Sequence, residues 1–346
     1  MNRLARTGRI AAFRDALLEA RDRAWAGARV RSTCDLELAG HPVRCHFAGA
    51  SLAPLLMPAL AHHRSDGGRE PLLDVYVWAG DESASPAPRP PWQPDADTAW
   101  QHDSEDHFAI HLPLLGSLLW LDRKRRIALY HVPSAAHLPL TEQGSPLLLL
   151  WGAWLADFGV HLVHAAAVSG RRGAALLLGP GGAGKSSAAL ACLGAGRLRY
   201  LGDDYCLVRS EPQPEVLSLY ASGKVYVADR DHHRAIEHAC VGDNGEKSLY
   251  QFHPAFDARL CTESPIVALI SMQRGNAGAL RLAPMAPMHA LRAVAPNSLL
   301  QIRVGIRSAA TLSALARIAR QVDCFALEGD GTREEVASLL ERCLER

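Results

Sequence analysis

Gly179-Pro180-Gly181-Gly182-Ala183-Gly184-Lys185-Ser186 follows an apolar run, Ala174 to Leu178, and precedes an Ala-rich stretch that opens at Ser186. The eight residues satisfy G-x-x-x-x-G-K-[ST], the Walker A spacing, and a strand before with a helix after is the context that spacing requires. Glycines let the backbone curl until successive N–H groups point inward at phosphate oxygens, and the start of the helix adds its positive dipole end. The expected nucleotide-contacting set is therefore Gly179, Gly181, Gly182, Ala183, Gly184, Lys185, Ser186 and Ser187. Lys185 would reach the β- and γ-phosphates, and the Ser186 hydroxyl would ligate Mg²⁺. A glycine-rich turn without a ligand gives no reason for a Lys-Ser pair at the start of a helix.

Downstream, Leu198-Arg199-Tyr200-Leu201-Gly202-Asp203-Asp204 reads as a short strand ending in two carboxylates, with Asp203 only 18 residues after Lys185. One helix and a Gly194/Gly196 turn fit in that interval, so the acids should emerge beside the glycine-rich loop at the carboxyl edge of a neighbouring strand. Two acids at such an edge can divide the work, one taking the proton of an attacking hydroxyl and the other holding a metal. The bland alternative is a solvated acidic turn. Upstream, His164 lies in Val163-His164-Ala165-Ala166-Ala167-Val168, within a strand read over Leu162 to Val168 that pairs with Ala174 to Leu178 through the Gly170-Arg171-Arg172-Gly173 turn. That pairing brings His164 toward the loop, where it could polarise a phosphate or orient an acid, although a strand histidine is also a common core residue.

His164, then Gly179 to Ser186, then Gly202-Asp203-Asp204 resembles the catalytic core of HPr kinase/phosphorylase and its relatives, in the phosphoenolpyruvate carboxykinase-like group of P-loop kinases. The resemblance covers about residues 161 to 210 and is loose beyond them. It implies an ATP- and Mg²⁺-dependent kinase acting on a serine hydroxyl, with Asp203 as general base, Asp204 as metal or orienting partner with Ser186, and His164 on the phosphate side. The glycine-rich signature that follows the acids in HPr kinases has no counterpart here, and the N-terminal third does not resemble theirs. The chain is accordingly similar to HPr-kinase-like proteins of biosynthetic clusters, some of which phosphorylate a serine of a lasso-peptide precursor. Two other readings stay open: a kinase of a small-molecule hydroxyl such as free serine, and a non-catalytic nucleotide-binding module.

Working outward, the texture changes near Gly144. Residues 145–346 alternate apolar strands with Ala-rich helices, as an α/β sheet does: strands at Ile266 to Met272 and Cys324 to Leu327, helices at Ala309 to Ala319 and Glu334 to Leu344. The implied class is an α/β P-loop kinase domain, phosphoenolpyruvate carboxykinase-like, preceded over residues 1–144 by an α+β accessory or acceptor-recognition domain. In that first region Ile10, Phe13, Leu17 and Leu18 mark a helix, and Val30 to Leu38 with Val43 to Phe47 form a hairpin around Gly40-His41-Pro42. Leu72 to Trp78 reads as a strand, and Phe108 to Val132 as an antiparallel meander. Five prolines between 80 and 97 exclude a helix or central strand there.

Weaker candidates carry less. Lys247, in a polar turn before Leu249, could neutralise a transferred phosphoryl group, with Arg234 and Arg259 as lesser stand-ins; a solvated turn lysine is the plainer reading. His233 and Glu237 at i and i+4, and His107 with His111, have ligand spacing but also suit an ordinary surface helix and strand. Eight cysteines without a C-x-x-C pair suggest free thiols in a reducing cytosol, and because Arg3, Arg6 and Arg9 are followed by no continuous apolar region, a secretory signal is not expected. Pro146 to Val163 approaches the length of a membrane span, but Asp157, His161 and two glycines favour a buried helix running into a strand. Lys+Arg 37 against Asp+Glu 36 provides no global field for nucleic acid or anionic lipid, so a peptide, protein or small acceptor is expected, in the cytoplasm, with homo-oligomerisation left open.

Overall fold

The computed structural model describes residues 3–90, 100–112, 115–272, 278–300 and 308–345. The protein is a mixed α/β chain with several sheets, and it divides into two compact units, Met1–Met57 with His63–Gln143 and Pro58–His62 with Gly144–Arg346.

The first unit contains strands β1 (Arg31–Leu38), β2 (His41–Ala48), β3 (Leu73–Ala79), β4 (Trp100–Asp103), β5 (His107–Leu112), β6 (Ser117–Asp122) and β7 (Ile127–Val132). Their order is β1-β2-β3-β7-β6-β5-β4. The hairpin and meander appear at the expected places, but β3 lies parallel to both β2 and β7. The Arg3–Gly27 helix covers one face, burying Phe13, Leu17, Ala20 and Ala24 against Trp78, Trp120 and Leu129. Those residues repeat at three- and four-residue steps, which places them on one helical stripe. The 80–97 segment, expected to hold no helix, opens with a one-turn helix, Gly80–Ser83, which is possible because it precedes the first proline, Pro86; residues 91–99 lie outside the described residues.

The second unit is built on strands β8 (Val160–Val163), β9 (Ala166–Gly170), β10 (Gly173–Leu178), β11 (Arg199–Gly202), β12 (Cys206–Arg209), β13 (Glu215–Ser218), β14 (Ser222–Tyr226), β15 (Cys240–Asp243), β16 (Lys247–Gln251), β17 (Glu263–Met272), β18 (Arg281–Pro284) and β19 (Asp323–Glu328). Among the described residues nine of these form one sheet, ordered β11-β9-β10-β17-β13-β12-β8, with β19 parallel to β17 and β18 on β19. A separate sheet runs β14-β16-β15.

Alternation on β10 explains why it is apolar throughout. Ala175 and Leu177 pack into a core shared with the Lys185–Ala195 and Arg333–Glu345 helices, through Leu190, Leu193, Leu340 and Leu344. Ala174, Leu176 and Leu178 point to a second core with Val294, Leu315 and Ile318 of the Pro287–Leu300 and Ser308–Gln321 helices. A strand buried on both faces has no polar positions to offer.

One expectation is corrected. The strand predicted over Leu162 to Val168 is two strands, because the chain breaks at His164 and Ala165. β8 pairs with β12 at one end of the sheet, whereas β9 pairs with β10 and β11 at the other. The chain that leaves β11 breaks at the matching level, Asp203 to Tyr205, before entering β12. Backbone groups released at the breaks find other partners: Ser298 Oγ accepts from His164 N at 3.0 Å, and the Ala165 carbonyl accepts from Cys206 Sγ at 3.3 Å. The 146–163 stretch is the helix Leu148–Leu155 followed by β8, and no described helix is long and apolar enough to cross a membrane.

The Arg171-Arg172 turn joins β9 to β10 and so sets how far β10 carries the glycine-rich loop. Gly173 there has φ +134°, and a Cβ would stand 2.6 Å from the Pro265 carbonyl oxygen. We expect Gly173→Ala to lower stability by roughly 1–3 kcal/mol, read as a reduced urea midpoint; an unchanged midpoint would contradict the strain assigned to this turn.

Candidate functional site

β10 ends at Leu178, and the chain must turn sharply beside β17. Gly179 makes that possible: its φ is +138°, and a Cβ would lie 2.7 Å from the Met272 carbonyl oxygen. Farther along the loop the reverse holds. A Cβ at Gly181, Gly182 or Gly184 would meet nothing within 4 Å, so the loop has an open side toward which the backbone is bare. The Lys185–Ala195 helix starts directly after it. Lys185 is buried at 5% exposure, and its Nζ donates to the Gly179 and Pro180 carbonyls at 2.9 and 3.0 Å, which folds the side chain over the loop. Burial pulls its pKa down, against the pull of Asp204 and Asp203. Ser186 Oγ donates to the Asp203 carbonyl at 3.1 Å and so ties the helix start to the end of β11.

The two neighbouring acids part company. Asp203 turns inward, 5% exposed, and its Oδ2 accepts from the Lys224 backbone N–H at 3.0 Å. Asp204 turns out to a cavity of about 340 Å³, with 29% of its side chain exposed. His164 Nε2 stands 3.3 Å from Asp204 Oδ1, and Lys224 Nζ lies 3.4 Å from Oδ2. Lys224 Nζ also donates to Ser145 Oγ at 2.9 Å, so the ammonium is fixed between two acceptors. Burial lowers the His164 pKa, only partly countered by Asp204, which favours the neutral ring. Its Nδ1 is buried with no hydrogen-bond partner among the described residues.

The cavity brings together most of the residues singled out from the sequence. Its lining includes His164, Gly181, Gly182, Gly184, Lys185, Ser186, Ser187, Asp204 and Lys247. Gly179, Ala183 and Asp203 support it from behind without lining it. Lys247 opens β16, and its Nζ sits 4.7 Å over the Tyr226 ring. Sequence reading missed Lys224, Tyr205, Tyr226 and Asp229, which share the same wall. Lys224 lies mid-way along five-residue β14, too short a strand to announce itself, and its place depends on pairing with β16.

The discounted groups stay apart from the cavity. Glu237 is ion-paired with Arg230 and accepts from Tyr250 Oη, while His233 is buried with its pKa pushed down to about 4 by burial and Arg333. His107 sits 3.6 Å from Asp122, in the first unit. Arg259 donates to the Leu193 carbonyl, and Arg234 pairs with Asp231. Among the described residues no three His, Cys, Asp or Glu side chains converge as a metal site, and the eight cysteines are free.

No protein-family model matches the chain, and no curated protein matches it. Among solved structures it is similar to the Hpr(Ser) kinase/phosphatase from Coxiella burnetii, at 11% identity and a TM-score of 0.31. That likeness covers 53% of this chain and 95% of the other. Function therefore has to be read from the cavity and its side chains.

Asp203 has a pKa raised to about 7, because burial and the adjacent Asp204 both penalise its charge, outweighing the Lys224 backbone N–H. Its ordinary value is 3.8, so between these values the folded state holds a proton that the unfolded chain has released. Its contribution to stability is therefore greatest below about pH 4 and declines as the pH rises toward 7. Urea midpoints of the metal-free protein across that range should fall less steeply with pH in Asp203→Asn than in the native protein. Equal slopes would show that Asp203 is not held protonated.

Proposed function

We propose that this chain is a phosphotransferase that uses ATP with Mg²⁺ to phosphorylate a hydroxyl, with the serine of a peptide or protein as acceptor. One observation carries the reading. Three lysines, Lys185, Lys224 and Lys247, meet on one cavity with the bare side of the Gly181–Gly184 loop, and a carboxylate, Asp204, faces the same space. Three ammonium groups against Asp204 and Asp229 make a pocket suited to a polyphosphate anion, and the carboxylate supplies what a hydroxyl needs to become a nucleophile.

The residues fit the nucleotide and its metal on two counts. The loop is open where phosphate oxygens would approach its amides, and Lys185 and Ser186 line the same cavity at the helix start. Because no preformed cluster of ligands is present among the described residues, Mg²⁺ would arrive with the nucleotide, held by Ser186 and the phosphates, as is usual for that ion. Bound there, it would neutralise charge on the phosphoryl oxygens.

In this scheme the loop and Lys185 hold the phosphates, and Lys224 and Lys247 offset charge on the group in transfer. The acceptor oxygen forms its bond to the γ-phosphorus as the bond to the β-bridging oxygen breaks, and the hydroxyl proton passes to a carboxylate. The family resemblance assigns that proton to Asp203. The outward turn of Asp204 favours Asp204 instead, with His164 and Lys224 orienting its two oxygens. Asp203 then acts from behind, fixing the Lys224 backbone. A lasso-peptide precursor belongs among the acceptors to be tried, since the resemblance in the 161–210 core includes kinases of such peptides.

The test is phosphate transfer from ATP to serine-containing peptides and, in parallel, to free serine, followed by mass spectrometry. Asp204→Asn should keep nucleotide binding and lose about 10²-fold or more in transfer, as for removal of a general base, with a smaller loss in Asp203→Asn. The opposite ranking would return the proton to Asp203. Phosphorylation of free serine but no peptide would replace the acceptor class, and nucleotide binding with no transfer to either would leave a binding module.

A further inference from the structure

The sheet β14-β16-β15 has two outer strands, and of these only β14 lines the cavity, through Lys224, Val225 and Tyr226. Its ladder fixes where its backbone groups point. Val227 N–H donates to the Glu246 carbonyl and Phe252 N–H to the Ala221 carbonyl, so the odd-numbered positions of this stretch bond to β16. In an antiparallel pair the residues between them turn their N–H and C=O groups the other way, which puts those of Ser222, Lys224 and Tyr226 on the outer edge. One end of that edge is clasped: the Ser222 carbonyl accepts from Tyr200 Oη at 2.6 Å, and the Lys224 N–H donates to Asp203 Oδ2 at 3.0 Å. The next two groups, the Lys224 carbonyl and the Tyr226 N–H, have no hydrogen-bond partner among the described residues. They lie where the strand runs along the cavity, and the Tyr226 side chain there is 47% exposed.

We propose that this open edge of β14 binds the acceptor as an extended peptide, main chain to main chain, with one peptide N–H on the Lys224 carbonyl and one peptide C=O on the Tyr226 N–H. A phosphate oxygen could use the N–H but not the carbonyl beside it. An acceptor and a donor side by side call for a donor and an acceptor carried by one ligand, which is what an amide backbone offers, and an unpaired strand edge is a template for such pairing. Successive side chains of the added strand alternate in direction, so a serine on the side of the Lys224 side chain faces Asp204, which Lys224 Nζ reaches at 3.4 Å. Recognition of this kind reads the main chain and tolerates many flanking side chains.

The inference rests on reading the cavity as a phosphotransferase site, and two arms of one experiment separate them. In the first, native full-length protein is given ATP, Mg²⁺ and either a synthetic library of short serine-centred peptides or free serine. Mass spectrometry should find phosphate on many peptide sequences; transfer to free serine alone, or to neither, would overturn the peptide acceptor and this inference with it. In the second arm a phosphorylated peptide is compared in Tyr226→Ala and Tyr226→Pro. Both lose the ring, and only the proline loses the N–H. Tyr226 has φ −59°, the value a proline ring imposes, and follows an extended residue, so the exchange suits the backbone. The peptide KM should be about tenfold or more higher in Tyr226→Pro than in Tyr226→Ala, while calorimetric ADP binding stays within about twofold between them and reports an intact fold. In the native protein, methylating the peptide N–H groups one at a time within two residues of the serine should raise KM about tenfold at one position. If Tyr226→Pro loses ADP binding, the methylated peptides decide alone. Equal peptide KM in two folded variants, or methylated peptides all within about twofold of the parent, would overturn the edge site and leave the phosphotransferase reading standing.

Discussion

The carboxylate of Asp204 lies between His164 and Lys224, and the second unit is arranged so that these three can meet. Each comes from a different piece of chain: the break between β8 and β9, the break between β11 and β12, and the middle of β14. The two breaks stand at the same level because β8 pairs with β12 and β9 with β11, so the interruption of one strand is matched in its partner. Residues leaving a sheet there are freed from the ladder and can turn to the glycine-rich loop. Continuous strands would have left His164 and Asp204 alternating in and out with their neighbours, and the pair would not be assembled.

Charges this close and this buried need compensation. Asp203 and Asp204 are sequence neighbours at the same end of a strand, and two ionised carboxylates there would repel in a poorly solvated place. The structure resolves this by separating their environments. Asp204 keeps contact with solvent and a lysine, whereas Asp203 is buried and drawn toward its neutral form. Lys224 serves both, with its backbone N–H on Asp203 and its ammonium on Asp204. Acids whose surroundings push them apart are suited to different chemical roles.

Much of the framework was legible in the sequence because it rests on local patterns. The helix marked by Ile10, Phe13, Leu17 and Leu18, the hairpin around Gly40, and the apolar run into Gly179 each depend on residues a few positions apart. The legible part stopped at short strands. β12 to β15 have four or five residues each, and no periodicity can be established over so few positions. Parallel pairing of β3 with β2 and β7 also left no local trace, since it joins segments separated by long connections. For the same reason the site was incomplete: Lys224, Tyr205, Tyr226 and Asp229 carry no motif, and only the folding of β14 against β16 brings Lys224 to the acids.

By itself the sequence determined the strand, loop and helix around Gly179 to Ser187, and that two acids follow at short range, because these are contiguous and their geometry is set by backbone conformation and residue size. Only the tertiary structure decided which acid faces the cavity and which cations join it. Those outcomes depend on where two distant strands break and on which remote segments pack against the loop, and burial and charge pairing between such segments are properties of the assembled chain.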